Sequence, residues 1–170
     1  ASILINEKNI QSIDLFSRNQ KELQGQIDSL NFYSYSINSR CQVGNLDLNH
    51  IDNYDQIIIT LKDNYDPRKL MQHKRSEIYP YNLRYIGLIR DYPLIIEICK
   101  FLRGYKNVIS VITNPVEIIS SLVKELIPTA NVFGLGLTLD AYRLSYFYEN
   151  KSQEKNILLF GEHGSEIYYV

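Results

Sequence analysis

The sequence predicts an α/β fold built on a parallel sheet, and three observations carry that prediction. Short β-branched runs alternate with longer segments of helical periodicity. Two of the runs, Ile57-Ile58-Ile59 and Val108 to Thr113, are near-continuously apolar, the pattern of strands covered on both faces. Pro115 and Pro128 punctuate the boundaries between runs and periodic segments.

Taken in order, Ser12 to Phe16 reads as a strand, and Lys21 to Leu30 as an amphipathic helix with Leu23, Ile27 and Leu30 on one face. Tyr54 to Thr60 is a buried strand. Leu83 to Leu102 is the longest helical segment, with Ile86, Ile89, Leu94, Ile98 and Leu102 along a broad apolar face, and Pro93 is expected to kink it or split it in two. A strand at Val108 to Thr113 precedes a helix from Pro115 to Leu126, with Pro115 suited to the first helical turn. Then come a strand at Asn131 to Gly134, a helix at Thr138 to Glu149 and a strand at Asn156 to Phe160. No internal repeat is present.

The bulk numbers narrow the function. At 170 residues and 45% apolar content the chain is long enough for one domain with a real core and too short for two ordinary ones. A net charge of -1, a pI near 6.4 and the absence of a basic run argue against a nucleic-acid groove or an anionic membrane surface, and favour a small substrate or a protein partner. The two cysteines, Cys41 and Cys99, have no companions at metal-ligand spacing, so neither a disulfide framework nor a metal site is expected, and a reducing, cytoplasmic location fits. The longest apolar stretches are strand-sized, and no signal peptide or membrane span is read from them. Between Thr60 and Arg84 lies a long stretch without periodicity, which reads either as a mobile lid or as a surface insertion.

Three short strings carry chemistry: Thr113-Asn114-Pro115-Val116, Leu139-Asp140-Ala141-Tyr142-Arg143 and Gly161-Glu162-His163-Gly164-Ser165. Singly they are an ordinary turn, an ordinary helical surface pair and an ordinary loop. Together they each fall at the carboxyl end of a predicted strand or on the helix after it, where open α/β sheets bind their ligands. In order and spacing they resemble the lactate/malate dehydrogenase family, whose Ser/Thr-Asn-Pro turn, Leu-Asp-x-x-Arg helix and Gly-Glu-His-Gly loop follow one another at about these intervals. Upstream, Ile13 to Leu30 is similar to the family's second strand and following helix, Tyr54 to Thr60 to its fourth strand, and Arg84-Tyr-Ile-Gly-Leu-Ile-Arg-Asp-Tyr to the segment closing its mobile loop.

The resemblance implies a Rossmann-like doubly wound parallel sheet that lacks its first strand and glycine-rich loop and ends at the start of the substrate domain. Residues 1–113 would form an incomplete dinucleotide-binding region with a mobile loop at about 61–83, and 114–170 the rest of the sheet and the start of the catalytic region. It implies an oxidoreductase that transfers hydride between NAD or NADP and a small 2-hydroxy or 2-keto acid, with no metal, assembled as a homo-oligomer, a dimer or tetramer, with the helix at Lys21 to Leu30 at one interface. His163 would supply the proton, since imidazole titrates near working pH, and Asp140 would orient it. Arg143 would take the substrate carboxylate in a two-pronged hydrogen bond. Arg84 would polarise the carbonyl as the loop closes, with Asn114 adding a hydrogen bond.

Cofactor contacts would fall to Ser17, Arg18, Thr60 and Asn114. Ser17 stands where the family carries a ribose-binding Asp, and Ser17-Arg18 suits a 2′-phosphate better than a bare hydroxyl. Thr60-Leu61-Lys62 replaces the family's Thr-Ala-Gly, removing a glycine that admits the nicotinamide half. Asp66-Pro67-Arg68-Lys69 is similar to malate dehydrogenases and Gly-Glu-His-Gly to lactate dehydrogenases, so the acid is left open. Because the resemblance begins inside a typical member and stops after the catalytic loop, the chain is expected to be part of a longer protein or a degenerate relative, and not to complete the fold alone. A non-catalytic interaction module and a carboxylate-binding domain without redox are the competing readings.

Overall fold

A computed structural model describes the backbone of residues 2–61, 80–137, 140–141, 159–161 and 167–169, and side chains over 2–61, 87–137 and 140–141. The chain divides into two compact units, residues 1–50 and 51–170.

In the first unit a short helix α1 (Ser2–Ile5) leads to strand β1 (Ser12–Leu15), helix α2 (Gln20–Ser36) and strand β2 (Gln42–Asn45). The two strands pair in parallel with Ile13 opposite Val43 and Asp14 opposite Gly44. Leu23 and Ile27, four residues apart, bury one stripe of α2 in a cluster with Ile5, Cys41 and Val43, flanked by Ile13, Leu15 and Leu30. Two side chains of α2 satisfy backbone leading into and along β2. The buried Ser34 hydroxyl donates to the Cys41 carbonyl at 2.7 Å. The Asn31 amide donates to the Val43 carbonyl at 2.8 Å and accepts from the Val43 N–H at 3.0 Å, so both polar groups of that residue are paired away from β1. Neither the strand β2 nor the last turns of α2 is predicted by the apolar pattern.

The second unit opens with a 3-10 segment (Leu48–Asn53, which begins just before the boundary) and continues as strand β3 (Gln56–Ile59), helix α3 (Pro80–Phe101), strand β4 (Val108–Val111), helix α4 (Val116–Leu126) and strand β5 (Asn131–Gly134). The three strands form a parallel sheet in the order β3-β4-β5, with Ile57, Ile109 and Val132 in one row and Ile59, Val111 and Gly134 two residues further on. The alternation of strand and helix anticipated from the sequence is therefore realised here as parallel pairing through helical crossovers. Helix α4 buries Val116, Ile119 and Val123 and packs on β4 and β5. At Gly134 it comes so near that an added Cβ would stand 2.6 Å from Val116 Cγ1 and 3.2 Å from Ser120 Oγ. The end of α4 is closed by Lys124, whose ammonium donates to the carbonyls of Pro128 and Ala130 at 3.0 and 2.8 Å.

Three expectations meet the structure here. Pro93 lies inside α3, and of the kink or split expected there the split does not occur: the helix runs from Pro80 to Phe101. Proline lacks the N–H that would bond the carbonyl of Ile89, but Ile89 and Tyr92 are 73% and 47% exposed, so water reaches that side of the helix and can take the orphaned carbonyl. The strand read at Asn156 to Phe160 is described over Leu159–Gly161 as β6, and among the described residues its pairing is not with the parallel sheet. It pairs antiparallel with a strand the sequence reading missed, β7 (Ile167–Tyr169), with Gly161 opposite Ile167. Strands joined by so short a connection can reverse but cannot cross over. Pro115 precedes α4 in extended conformation as its N-cap rather than occupying the first turn.

The predicted helix at Thr138 to Glu149 falls largely outside the described residues, with Asp140 and Ala141 helical. Most of the expected lid at 61–83 also lies outside them. Among the described residues no helix is long and apolar enough to cross a membrane.

Candidate functional site

Of the named residues whose side chains are described, Thr60 and Asn114 follow the carboxyl ends of strands in the second unit. Thr60 follows Ile59, which stands opposite Val111, and Asn114 follows the same edge of β4, so register brings both residues to one end of the second unit's sheet. Both are exposed. Between them the buried Thr113 hydroxyl reaches the Ile59 carbonyl at 3.5 Å, a long contact that ties the last residue of β3 to the turn before Asn114. The Asn114-Pro115 peptide is cis. Further along, Asp140 is half-buried on a helical residue pair with Ala141.

In the first unit, Ser17 and Arg18 lie between the carboxyl end of β1 and the start of α2. The Ser17 hydroxyl accepts the Asn19 N–H at 3.2 Å, and the Ser17 carbonyl accepts from the Gln20 amide at 2.9 Å, so the turn is held by its own polar groups. Asn19 caps the helix by accepting the Glu22 N–H at 3.3 Å, while its amide donates to the Glu22 carboxylate at 2.9 Å. This is a reciprocal cap that fixes where α2 begins, directly after Arg18, which is exposed. An Asn followed three residues later by Glu before an apolar face is a legible capping signal, and the sequence reading did not use it.

Other members of the predicted set are less fully described. Arg84 lies on α3 by its backbone, with its side chain outside the described residues. Arg143 and His163 fall outside them altogether; in sequence His163 lies between β6 and β7, which end and begin at Gly161 and Ile167. The described geometry thus brings Thr60 and Asn114 to one sheet edge and sets Ser17 beside Arg18 at a helix start.

The chain is similar in fold to lactate and malate dehydrogenases. A lactate dehydrogenase from a Medee basin deep-sea metagenome library superposes with a TM-score of 0.78 at 18% identity, over 99% of this chain and 52% of that one. A malate dehydrogenase from Archaeoglobus fulgidus, solved in complex with NADH, superposes with a TM-score of 0.65 at 21% identity, over 85% of this chain and 47% of that one. The chain therefore spans about half the length of the solved structures it matches. No protein-family model and no curated protein matches the sequence.

Among the described residues, the groups with shifted titration lie away from this edge. Burial pushes the Cys99 thiol up to about 11 and, more than the nearby carboxylates of Asp55 and Asp52, pushes the Tyr105 phenol up to about 12. Burial also raises the Cys41 thiol. The exposed Asp47 carboxyl is lowered first by its hydrogen bond with His50, at 2.7 Å, and then by the Asn49 N–H. These are an inert buried set and a turn on the surface; among the described residues no group of three or more His, Cys, Asp and Glu is placed to hold a metal ion.

Proposed function

We propose that this chain is part of an oxidoreductase of the lactate/malate dehydrogenase type, moving a hydride between NAD or NADP and a small 2-hydroxy or 2-keto acid. The observation that carries the reading is a coincidence of fold and motif. A chain that superposes on these dehydrogenases over nearly its whole length also holds Asn114, Asp140, Arg143 and His163 in their order, and Thr60 and Asn114 follow strands at the edge where open parallel sheets take ligands.

By the resemblance, the cofactor is a dinucleotide phosphorylated on its ribose. Arg18 offers an exposed guanidinium, beside a capped helix start, to a ribose 2′-phosphate, and Ser17 replaces the carboxylate that such a phosphate would repel. Thr60 and Asn114 would hold the nicotinamide end. When bound, that group supplies the hydride donor or acceptor. The chain's own residues do the rest in this reading: Arg143 grips the substrate carboxylate, His163 gives its proton to the carbonyl oxygen, Asp140 holds the imidazolium, and Arg84 and Asn114 stabilise negative charge on that oxygen. Assembly as a homo-oligomer through the helix containing Lys21 to Leu30, and a cytoplasmic home, belong to the same proposal.

The protein carrying this chain is titrated with NADPH and NADH by fluorescence, then with oxamate to form the ternary complex. Saturable binding with NADPH preferred is expected, and Arg143→Gln should weaken oxamate about 10–100-fold, the loss of a charge-assisted pair worth about 1.5–3 kcal/mol. A folded sample that takes oxamate but neither nucleotide would instead establish a non-catalytic carboxylate-binding module. That second reading has its own support in Leu61, a half-buried branched side chain directly after Thr60 where the resemblance calls for a small residue.

A further inference from the structure

We draw no further inference here: the strongest candidate, the outward face of α2 where Phe32 and Tyr35 stand 73% and 82% exposed, is an unpartnered apolar face, and nothing in the structure shows what covers it.

Discussion

A single added methyl group at Gly134 meets the Val116 Cγ1 atom at 2.6 Å, closer than carbon atoms approach, and the β-branched Val116 has few other rotamers to adopt while packed on the sheet. The glycine is needed for closeness of approach, since no positive φ is required of it. Gly134→Ala is expected to destabilise the second unit by about 1–3 kcal/mol, read as a lowered urea midpoint at unchanged slope. Combining it with Val116→Ala should recover part of that loss relative to the sum of the two single changes. The sequence reading placed β5 at the observed residues but had no means of seeing this contact, because it depends on the register of β5 against β4 and on the seat of α4. The same applies to Thr113: its string was noticed, while the contact from its hydroxyl to β3 exists only once two strands far apart in sequence are paired. Of the proposed site, Thr60, Asn114, Ser17 and Arg18 could be named from motif and order, and Asn19 could have been, since its cap is local.

Helix α3 carries a proline whose cost is set by what surrounds it. Pro93 removes one hydrogen bond, but its neighbourhood faces water, so the helix persists. Pro93→Ala restores the donor and is expected to raise stability by up to about 3 kcal/mol, measured as a higher midpoint in thermal unfolding with unchanged helical circular dichroism. Element by element, the apolar period located β1, α2, β3, α3, β4, α4 and β5; burial follows it most fully in α2 (Leu23, Ile27), α4 (Val116, Ile119, Val123) and β4 (Ile109, Val111), while in α3 the buried Ile95 stands in place of the expected Ile89, which is exposed. It failed at β2, where Gln42-Val43-Gly44-Asn45 offers one large apolar residue and a glycine, and the strand is made by pairing with β1 and by Asn31. It also missed the extension of α2 to Ser36, since Phe32 and Tyr35 are exposed and break the apolar stripe, while the buried position is a serine. The antiparallel partner β7 escaped because a three-residue strand has too few positions to show a period.

For the molecule as a whole, the buried thiol and phenol of the second unit set an alkaline limit. Cys99 ionises near 11 in the folded chain against an ordinary value of 9.0, and Tyr105 near 12 against 10.0. A raised acid is held protonated by the fold, so unfolding releases protons and becomes easier as pH rises. The contribution from Cys99 is complete below pH 9 and falls away towards 11; that from Tyr105 falls between 10 and 12. Urea midpoints across this range should decline in the native sequence, with Cys99→Ala flattening the earlier part and Tyr105→Phe the later. Tyr105→Phe should also lower stability at neutral pH by only about 1 kcal/mol, because the Tyr54 carbonyl that accepts the phenol at 2.8 Å also accepts the Asn107 amide at 3.0 Å. Fold likeness to a lactate dehydrogenase extends over 99% of the chain at 18% identity, so the architecture is similar while most side chains differ.

The amide of Asn31, in satisfying both backbone groups of Val43, has a consequence for how crowded copies of this chain behave. Sheets grow by offering unmatched peptide groups to the next extended segment, and a strand stops growth when something other than a strand has already taken them. By mimicking a peptide unit, Asn31 ends β2 chemically while leaving it intact, at a place where neither proline nor lysine interrupts the strand. Asn31→Ala should therefore leave the first unit folded but adhesive. Its concentrated solutions are expected to scatter light and bind thioflavin within hours under conditions in which the native sequence stays clear, and equal clarity of the two would mean that the capped residue does not restrain fibre growth.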